Sequence, residues 1–140
     1  MKDLTEMTIE ERKEYAAERK KEMNCCQAVL VAFADKLGKN EDELLRLGSG
    51  FGSGMATMEG TCGALVGAGL VLGLVNKDKA KSMKQMRQIM TRFQERNGAT
   101  QCKLLKGVGT KVMLRACPDC VADAAEFLEE ALRLNVEDIT

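Results

Sequence analysis

The sequence contains no histidine and no tryptophan, and it has a single proline, Pro118. Without histidine, the chain cannot build a Ser-His-Asp or Cys-His catalytic site, a Cys/His zinc finger or a histidine pH switch. Aromatic residues make up only 4% of the chain, which argues against base-stacking surfaces for nucleic acids. The scarcity of proline argues against a turn-rich β architecture. These absences favour a helical protein whose chemistry depends on other side chains.

The net charge is zero, because the chain has 21 basic and 21 acidic residues. A neutral chain creates no global field for nucleic acid or for an anionic membrane, so we expect neither as a partner. The longest apolar run, residues 62–75, would cover only about 21 Å as a helix, so we predict no membrane span. The first residues lack the apolar stretch of a secretory signal, and we therefore expect a cytoplasmic protein.

Charge is nevertheless distributed unevenly along the chain. Residues 77–118 carry eleven basic and two acidic side chains, whereas residues 119–140 carry seven acidic and one basic. One explanation is that the two regions pair with each other or are simply solvated. The other is that the basic region binds an acidic partner.

Length and periodicity predict a single all-α domain over residues 1–140. We predict a compact helical bundle around a central glycine-rich apolar helix at about residues 62–75, whose small side chains let another helix approach closely. In the next helix, residues 78–97, a repeat of apolar side chains predicts the core face, at Met83, Met86, Met90 and Phe93. Candidate N-cap residues precede the predicted helices, at Thr8, Asn24, Asn40, Thr61, Thr100 and Cys117.

Six cysteines are the most informative residues present. In a reducing compartment, cysteines indicate redox or metal chemistry more often than structural disulfides. Cys62, Cys102 and Cys117 lie at or near predicted helix starts, and Cys25 lies near a fourth, where the helix dipole favours a thiolate. We therefore predict that at least three of these four share one site. Cys26 is about 100° from Cys25 around a helix, so the two adjacent thiols do not easily enter the same site.

Two further motifs surround these cysteines. The segment Cys117-Pro118-Asp119-Cys120 is a CxxC at a helix start, which predicts Cys117 as the thiolate that reacts first and Cys120 as the cysteine that resolves it. No βαβ pattern accompanies the motif, which argues against a thioredoxin fold, and no second CxxC supports a zinc ribbon. Residues 48–55, GSGFGSGM, lack the Lys-Ser/Thr ending of a phosphate-binding loop, so we expect a close backbone approach to the core or to a cofactor.

The order of these motifs resembles a known family. NCCQAV at residues 24–29, GFGSGM at 50–55 and CGALVG at 62–67 are followed by Cys102 and Cys117. Over about residues 20–133 the chain resembles the C_GCAxxG_C_C family, whose members are regarded as redox-active. The resemblance implies that the functional set is Cys25, Cys62, Cys102 and Cys117. It also implies that Cys26 occupies a position where alanine is expected and that Cys120 is additional.

Three functions fit these observations. The first is thiol–disulfide exchange or electron transfer, in which Cys62 or Cys117 attacks and another cysteine of the set resolves, with a protein redox partner or a small oxidant. The second is a binding module in which Cys25, Cys62, Cys102 and Cys117 hold zinc or an iron–sulfur cluster. The third is a structural helical domain that binds another chain.

Overall fold

The computed structural model describes the backbone of residues 7–138 and the side chains of residues 7–134. Within this part the chain forms helices and no strand, which confirms the predicted all-α class. The helices are α1 Ile9–Arg19, α2 Cys25–Ala32, α3 Ala34–Leu37, α4 Glu41–Leu47, α5 Gly52–Met55, α6 Gly63–Asn76, α7 Lys79–Asn97, α8 Cys102–Lys106 and α9 Cys117–Asp138. None of these described helices is long and apolar enough to cross a membrane.

Helix α6 lies at the centre of the bundle, where it packs against α2, α7 and α9. Glycine makes the contact with α2 possible. A Cβ atom at Gly67 would lie only 2.9 Å from the carbonyl oxygen of Cys26 and 3.0 Å from the Cβ of Val29. Because α6 approaches the backbone of α2 this closely, the two helix N-termini lie side by side.

Side-chain caps define several of the helix starts. Thr8 and Asn24 each accept a hydrogen bond from the backbone N–H three residues further on, and both form complete capping boxes. Asn40 caps α4 through the backbone N–H of Glu43. These three predictions are confirmed.

Three predicted caps are wrong by one residue. The N-caps of α6 and α8 are Cys62 and Gln101, and α9 already includes Cys117. An antiparallel bridge between Thr61 and Gln101 explains the later starts of α6 and α8. The bridge keeps the backbone before each of these two helices extended for one residue longer than the cap pattern predicts.

The predicted core face of α7 is confirmed at Phe93, which is buried, and Met86 and Met90 are partly buried against the core, but the prediction is wrong at Met83. The buried residues of this helix are Gln85, Ile89, Phe93 and Asn97, whereas 53% of Met83 is exposed. Two polar side chains can be buried here because each has a partner. Gln85 accepts a hydrogen bond from Asn76 at 2.7 Å, and Asn97 donates one to Asp123 at 3.1 Å.

Ion pairs between α7 and α9 explain part of the uneven charge. Arg92 pairs with Glu130, and Arg96 pairs with Asp123 at 3.0 Å and with Glu126 at 2.9 Å. The basic and acidic regions are therefore adjacent along these two helices.

A buried ionic cluster joins α1 to the rest of the bundle. Arg12 is fully buried and contacts Asp35 at 2.7 Å and Glu129 at 3.2 Å. Its guanidinium also donates a hydrogen bond to the carbonyl oxygen of Ala32 at 2.7 Å and lies over the ring of Phe33. The cluster connects α1, the end of α2 and α9.

Candidate functional site

Four cysteines stand at the starts of four different helices. Cys25, Cys102 and Cys117 are the first residues of α2, α8 and α9, and Cys62 is the N-cap of α6. At these positions each sulfur lies beside backbone N–H groups that have no partner within the helix. The positive end of the helix dipole then favours the thiolate form.

Backbone pairing brings two of these helix starts together. The backbone N–H of Cys62 donates to the carbonyl oxygen of Thr100 at 2.8 Å, and the N–H of Cys102 donates to that of Gly60 at 3.0 Å. The bridge between Thr61 and Gln101 lies between these two bonds. Helices α6 and α8 therefore begin at the same end of the molecule.

The glycine-rich segment at residues 48–55 covers this end of the bundle. A Cβ atom at Gly54 would lie 2.5 Å from the Cβ of Cys102, and one at Gly52 would lie 2.4 Å from the Cβ of Asn24. Asn24 also donates a hydrogen bond to the carbonyl oxygen of Gly48 at 3.2 Å. The predicted close backbone approach is confirmed, and it fixes the loop against the cysteine-bearing helix starts.

Five of the six cysteines surround one small cavity of about 10 Å³. A space of this size holds about one water molecule. Four of the five are buried and Cys117 is half-buried. The lining consists of Cys25, Ser53, Cys62, Gly63, Cys102, Leu105, Lys106, Arg115, Cys117 and Cys120. Cys26 does not line the cavity and is fully buried at the contact of α2 with α6.

The first pair within the cavity is Cys25 with Cys117. The Cys25 thiol donates a hydrogen bond to the Cys117 sulfur, and this bond, together with the cations Lys106 and Lys20, lowers the pKa of Cys117 to about 6 although burial opposes the shift. The same hydrogen bond, followed by burial, raises the pKa of Cys25 well above its ordinary value. At neutral pH the pair therefore consists of a Cys117 thiolate and a Cys25 thiol.

The second pair is Cys62 with Cys120. A hydrogen bond from Cys120 lowers the pKa of Cys62, and the backbone N–H groups of Ala64 and Leu65 contribute in the same direction against the effect of burial. The pKa of Cys120 is raised, first by the bond to Cys62 and then by burial. The predicted partner of Cys117 within the CxxC motif thus contacts Cys62, and Cys117 contacts Cys25.

The two remaining thiols have no comparable sulfur partner. Burial raises the pKa of Cys102, and the nearby Lys106 only partly offsets this effect. Burial alone raises the pKa of Cys26 to about 12. Both residues are therefore thiols at neutral pH.

Sequence reasoning did not identify the cations of this site. Burial lowers the pKa of Lys106 most strongly, but the nearby cysteines, Cys117 first among them, raise it above its ordinary value. Lys106 could have been found, since it follows Cys102 by four residues and so shares its helix face. The sequence carries no comparable signal for Lys20, which approaches from the end of α1.

The cysteine arrangement is paired, and it does not form a preformed metal site. Among the described residues, no group of three or more cysteine, aspartate or glutamate side chains is placed to hold a metal ion. The thiols are coupled in two pairs, Cys25 with Cys117 and Cys62 with Cys120, around a cavity of one-water size. This geometry suits chemistry between thiols.

The chain matches a model of a protein family. A family model with the description "Putative redox-active protein (C_GCAxxG_C_C)" matches residues 23–131, a range that contains all six cysteines. No curated protein and no solved structure matches the chain.

Proposed function

The chain belongs to the C_GCAxxG_C_C family, and from this premise we propose that it carries out thiol–disulfide exchange with Cys117 as the attacking thiolate and Cys25 as the resolving thiol. The observation that carries the proposal is that Cys117, the one half-buried cysteine of the cavity, faces Cys25 and Lys106, which with Lys20 lower its pKa to about 6. A thiolate that is accessible and supported by cations needs no separate general base. We further propose that the protein works in the reducing cytoplasm.

The reaction consumes a disulfide and returns two thiols. The Cys117 thiolate attacks one sulfur of the substrate disulfide, a mixed disulfide forms on Cys117, and the other substrate sulfur leaves as a thiolate. Cys25 then attacks the Cys117 sulfur, which forms the Cys25–Cys117 disulfide and releases the second substrate sulfur. The Cys25 proton moves to a leaving thiolate. The substrate gains two electrons, which the two cysteines lose. Repeated turnover therefore requires an external thiol reductant, glutathione in the assays below, that reduces the protein disulfide again.

The raised pKa of Cys25 is compatible with this order of events. Cys25 is held as a thiol because its proton is bound to the Cys117 thiolate. Once Cys117 is part of a mixed disulfide, its negative charge is gone and the hydrogen bond weakens. The pKa of Cys25 then falls, and Cys25 becomes a nucleophile only after the first step.

Cys62 and Cys120 supply a second dithiol in the same cavity. Cys62, whose pKa is lowered, can attack the Cys117 sulfur of the Cys25–Cys117 disulfide, and Cys120 can then resolve the new bond. That sequence regenerates the reduced Cys25–Cys117 pair and leaves a Cys62–Cys120 disulfide. Cys102, a buried thiol against Gly54, has no step in this scheme.

Trapping of the mixed disulfide tests the proposal. With bis(2-hydroxyethyl) disulfide as substrate, Cys117→Ser is expected to lose activity. Cys25→Ser combined with Cys62→Ser, which removes both thiols that can attack Cys117, is reduced beforehand and mixed with the substrate without glutathione. It is expected to accumulate a mixed disulfide on Cys117 that intact-mass and peptide mass spectrometry identify. Cys26→Ala is the matched control, since Cys26 adjoins Cys25 in sequence but does not line the cavity. If the mixed disulfide on Cys117 accumulates in Cys120→Ser instead, then Cys120 is the resolving cysteine, as the CxxC motif predicts. Full activity of Cys117→Ser would refute the mechanism.

Metal or cluster binding is the second candidate function, and the convergence of five cysteines beside Lys106 and Arg115 favours it. Such a role would require the two pairs to rearrange so that Cys25, Cys62, Cys102 and Cys117 face one zinc ion or iron–sulfur cluster. Metal analysis and a visible spectrum of anaerobically purified protein distinguish the two functions. Stoichiometric metal that blocks alkylation of Cys117 until a chelator is added would support the binding module.

A further inference from the structure

The segment from Leu104 to Leu114 exposes an unusual amount of apolar surface. Of the nine large apolar side chains that are exposed among the described residues, five lie in this segment, at Leu104, Val108, Val112, Met113 and Leu114. Single exposed apolar residues are ordinary, but a contiguous group marks an interaction site. We call residues 104–114 the apolar segment.

Backbone contacts hold the apolar segment in place. The N–H groups of Leu114 and Arg115 both donate to the carbonyl oxygen of Leu105, at 2.9 and 3.3 Å. Gly107 has a φ of 78°, and a Cβ atom there would lie 2.6 Å from the carbonyl carbon of Val112. The segment is therefore folded tightly on itself, and 60% of Val112 and 63% of Met113 remain exposed.

The surroundings of the apolar segment are basic. Residues 96–118 contain no acidic side chain and five basic ones, at Arg96, Lys103, Lys106, Lys111 and Arg115. Arg96 and Arg115 pair with Asp123, and Lys103 pairs with Glu59 at 3.4 Å. Lys111 has no ion pair among the described residues, and Lys106 faces the cysteines. Lys106 and Lys111 are thus the two cations of this region that have no carboxylate partner among the described residues, and we call them the basic rim of the apolar segment.

The apolar segment leads directly into the cysteine site. Lys106 lies within it, Arg115 follows it, and both line the cavity. Cys117, the one half-buried cysteine, comes two residues after Arg115. A protein partner that binds to the apolar segment can therefore present a disulfide of its own to Cys117.

We propose that the apolar segment and its basic rim form the docking surface for a protein partner, which presents an acidic and partly apolar segment next to the disulfide that Cys117 attacks. This inference rests on the proposed function, because it assigns the substrate class of the same site. Apolar side chains provide the contact, and the basic rim selects partners of negative charge and accelerates their approach.

Two matched peptides test the charge of the partner. One alternates glutamate with leucine around a central cysteine that carries a mixed disulfide with 2-mercaptoethanol, and the other has lysine in place of each glutamate. We expect kcat/KM for the acidic peptide to exceed that for the basic one about tenfold at low salt, and we expect the difference to shrink as ionic strength rises. Equal values for the two peptides would overturn the inference.

Substitutions locate the surface. Val112→Ser with Met113→Ser, and separately Lys111→Glu, are expected to lower kcat/KM for the acidic peptide about fivefold or more. They should leave the turnover of bis(2-hydroxyethyl) disulfide unchanged. Met83→Ser and Lys84→Glu on α7 are the controls, since both residues are exposed and neither lines the cavity. Equal losses in the controls would overturn the placement.

A binding measurement separates this inference from the proposed function. Fluorescence anisotropy with cysteine-free versions of the two peptides, serine replacing the central cysteine, reports docking without any sulfur chemistry. Preferential binding of the acidic version, weakened by Val112→Ser with Met113→Ser, supports the docking surface even if no disulfide is reduced. Binding of both versions alike, or binding only to anionic phosphatidylserine vesicles, refutes it.

Discussion

At the scale of single residues, the chemistry of the site depends on which sulfur contacts which. Cys117 and Cys25 come from helices that are far apart in the sequence, yet the proton of one stabilises the thiolate of the other. Lys106 and Lys20 add positive charge at the same sulfur. The low pKa of Cys117 is therefore a property of four residues rather than of a helix terminus alone.

This arrangement predicts the pH dependence of alkylation. Because the pKa of Cys117 is lowered to about 6, its reaction with iodoacetamide should rise between pH 5 and 7 and level off above pH 7, whereas an ordinary thiol titrates near about 8.5. Cys25→Ala removes the donor and should move the midpoint upward. Cys25→Ser keeps a hydroxyl donor and should stay closer to the native midpoint. Rates by mass spectrometry, with Cys117→Ser as the blank, check this, and identical profiles for both Cys25 variants would contradict it.

At the scale of secondary-structure elements, the contact between α2 and α6 positions the cysteines. Gly63 and Gly67 allow this contact, since a Cβ at Gly63 would lie 2.7 Å from the carbonyl oxygen of Phe51 and 3.3 Å from the Cβ of Cys25. Larger residues at either position would push α6 away from Cys25. The glycines of the CGALVG motif are therefore as important for the site as its cysteine.

Two glycines of the same helix provide a matched test of this contact. Gly67→Ala should lower the free energy of unfolding by about 1–3 kcal/mol, because its Cβ meets backbone of α2. Gly73→Ala should raise it by about 0.5–1 kcal/mol, because a Cβ there meets nothing within 4 Å and alanine favours helix. Chemical denaturation of both variants measures the difference. Equal effects at the two positions would show that the close approach is not required.

At the scale of the whole molecule, the buried cluster around Arg12 joins the first helix to the last. Arg12 balances Asp35 and Glu129, whose side chains are almost entirely buried. Lys36 and Arg133 lie at the edge of the cluster, 3.8 and 3.7 Å from Glu129. The cluster lies outside the cysteine cavity, so stability and cysteine chemistry can be altered separately.

Removal of this arginine is expected to be costly. Arg12→Leu leaves the buried carboxylate of Asp35 without its cation and Glu129 with only Lys36 and Arg133 at the edge of the cluster. It should lower the free energy of unfolding by about 3–5 kcal/mol. Arg46→Leu is the control, since Arg46 is largely exposed in its pair with Asp42 and should change stability by less than about 1 kcal/mol. Denaturation curves measure both variants. If Arg12→Leu does not fold, Glu129→Gln provides a milder test, and native stability of that variant would contradict the prediction.

The sequence by itself determined the all-α class, the caps at Thr8, Asn24 and Asn40, and the central helix, because these depend on local hydrogen bonding and on the spacing of apolar residues. The sequence also predicted that four cysteines lie at or beside helix starts, and the predicted starts of these helices agree with the structure to within one residue. Where a local pattern competed with a long-range contact the expectation was wrong, as at Thr61, whose bridge to Gln101 delays the start of α6.

Only the tertiary structure decided which thiols pair. The CxxC spacing puts Cys117 and Cys120 on neighbouring positions of one helix, but it does not specify what faces each of them from other helices. Cys120 is directed to Cys62 and Cys117 to Cys25 because α2 and α6 approach through glycine and α9 begins across from both. The same packing brings Lys106 to the cavity and leaves residues 104–114 exposed beside it. Pairing and exposure depend on distances between helices, which local sequence patterns do not encode.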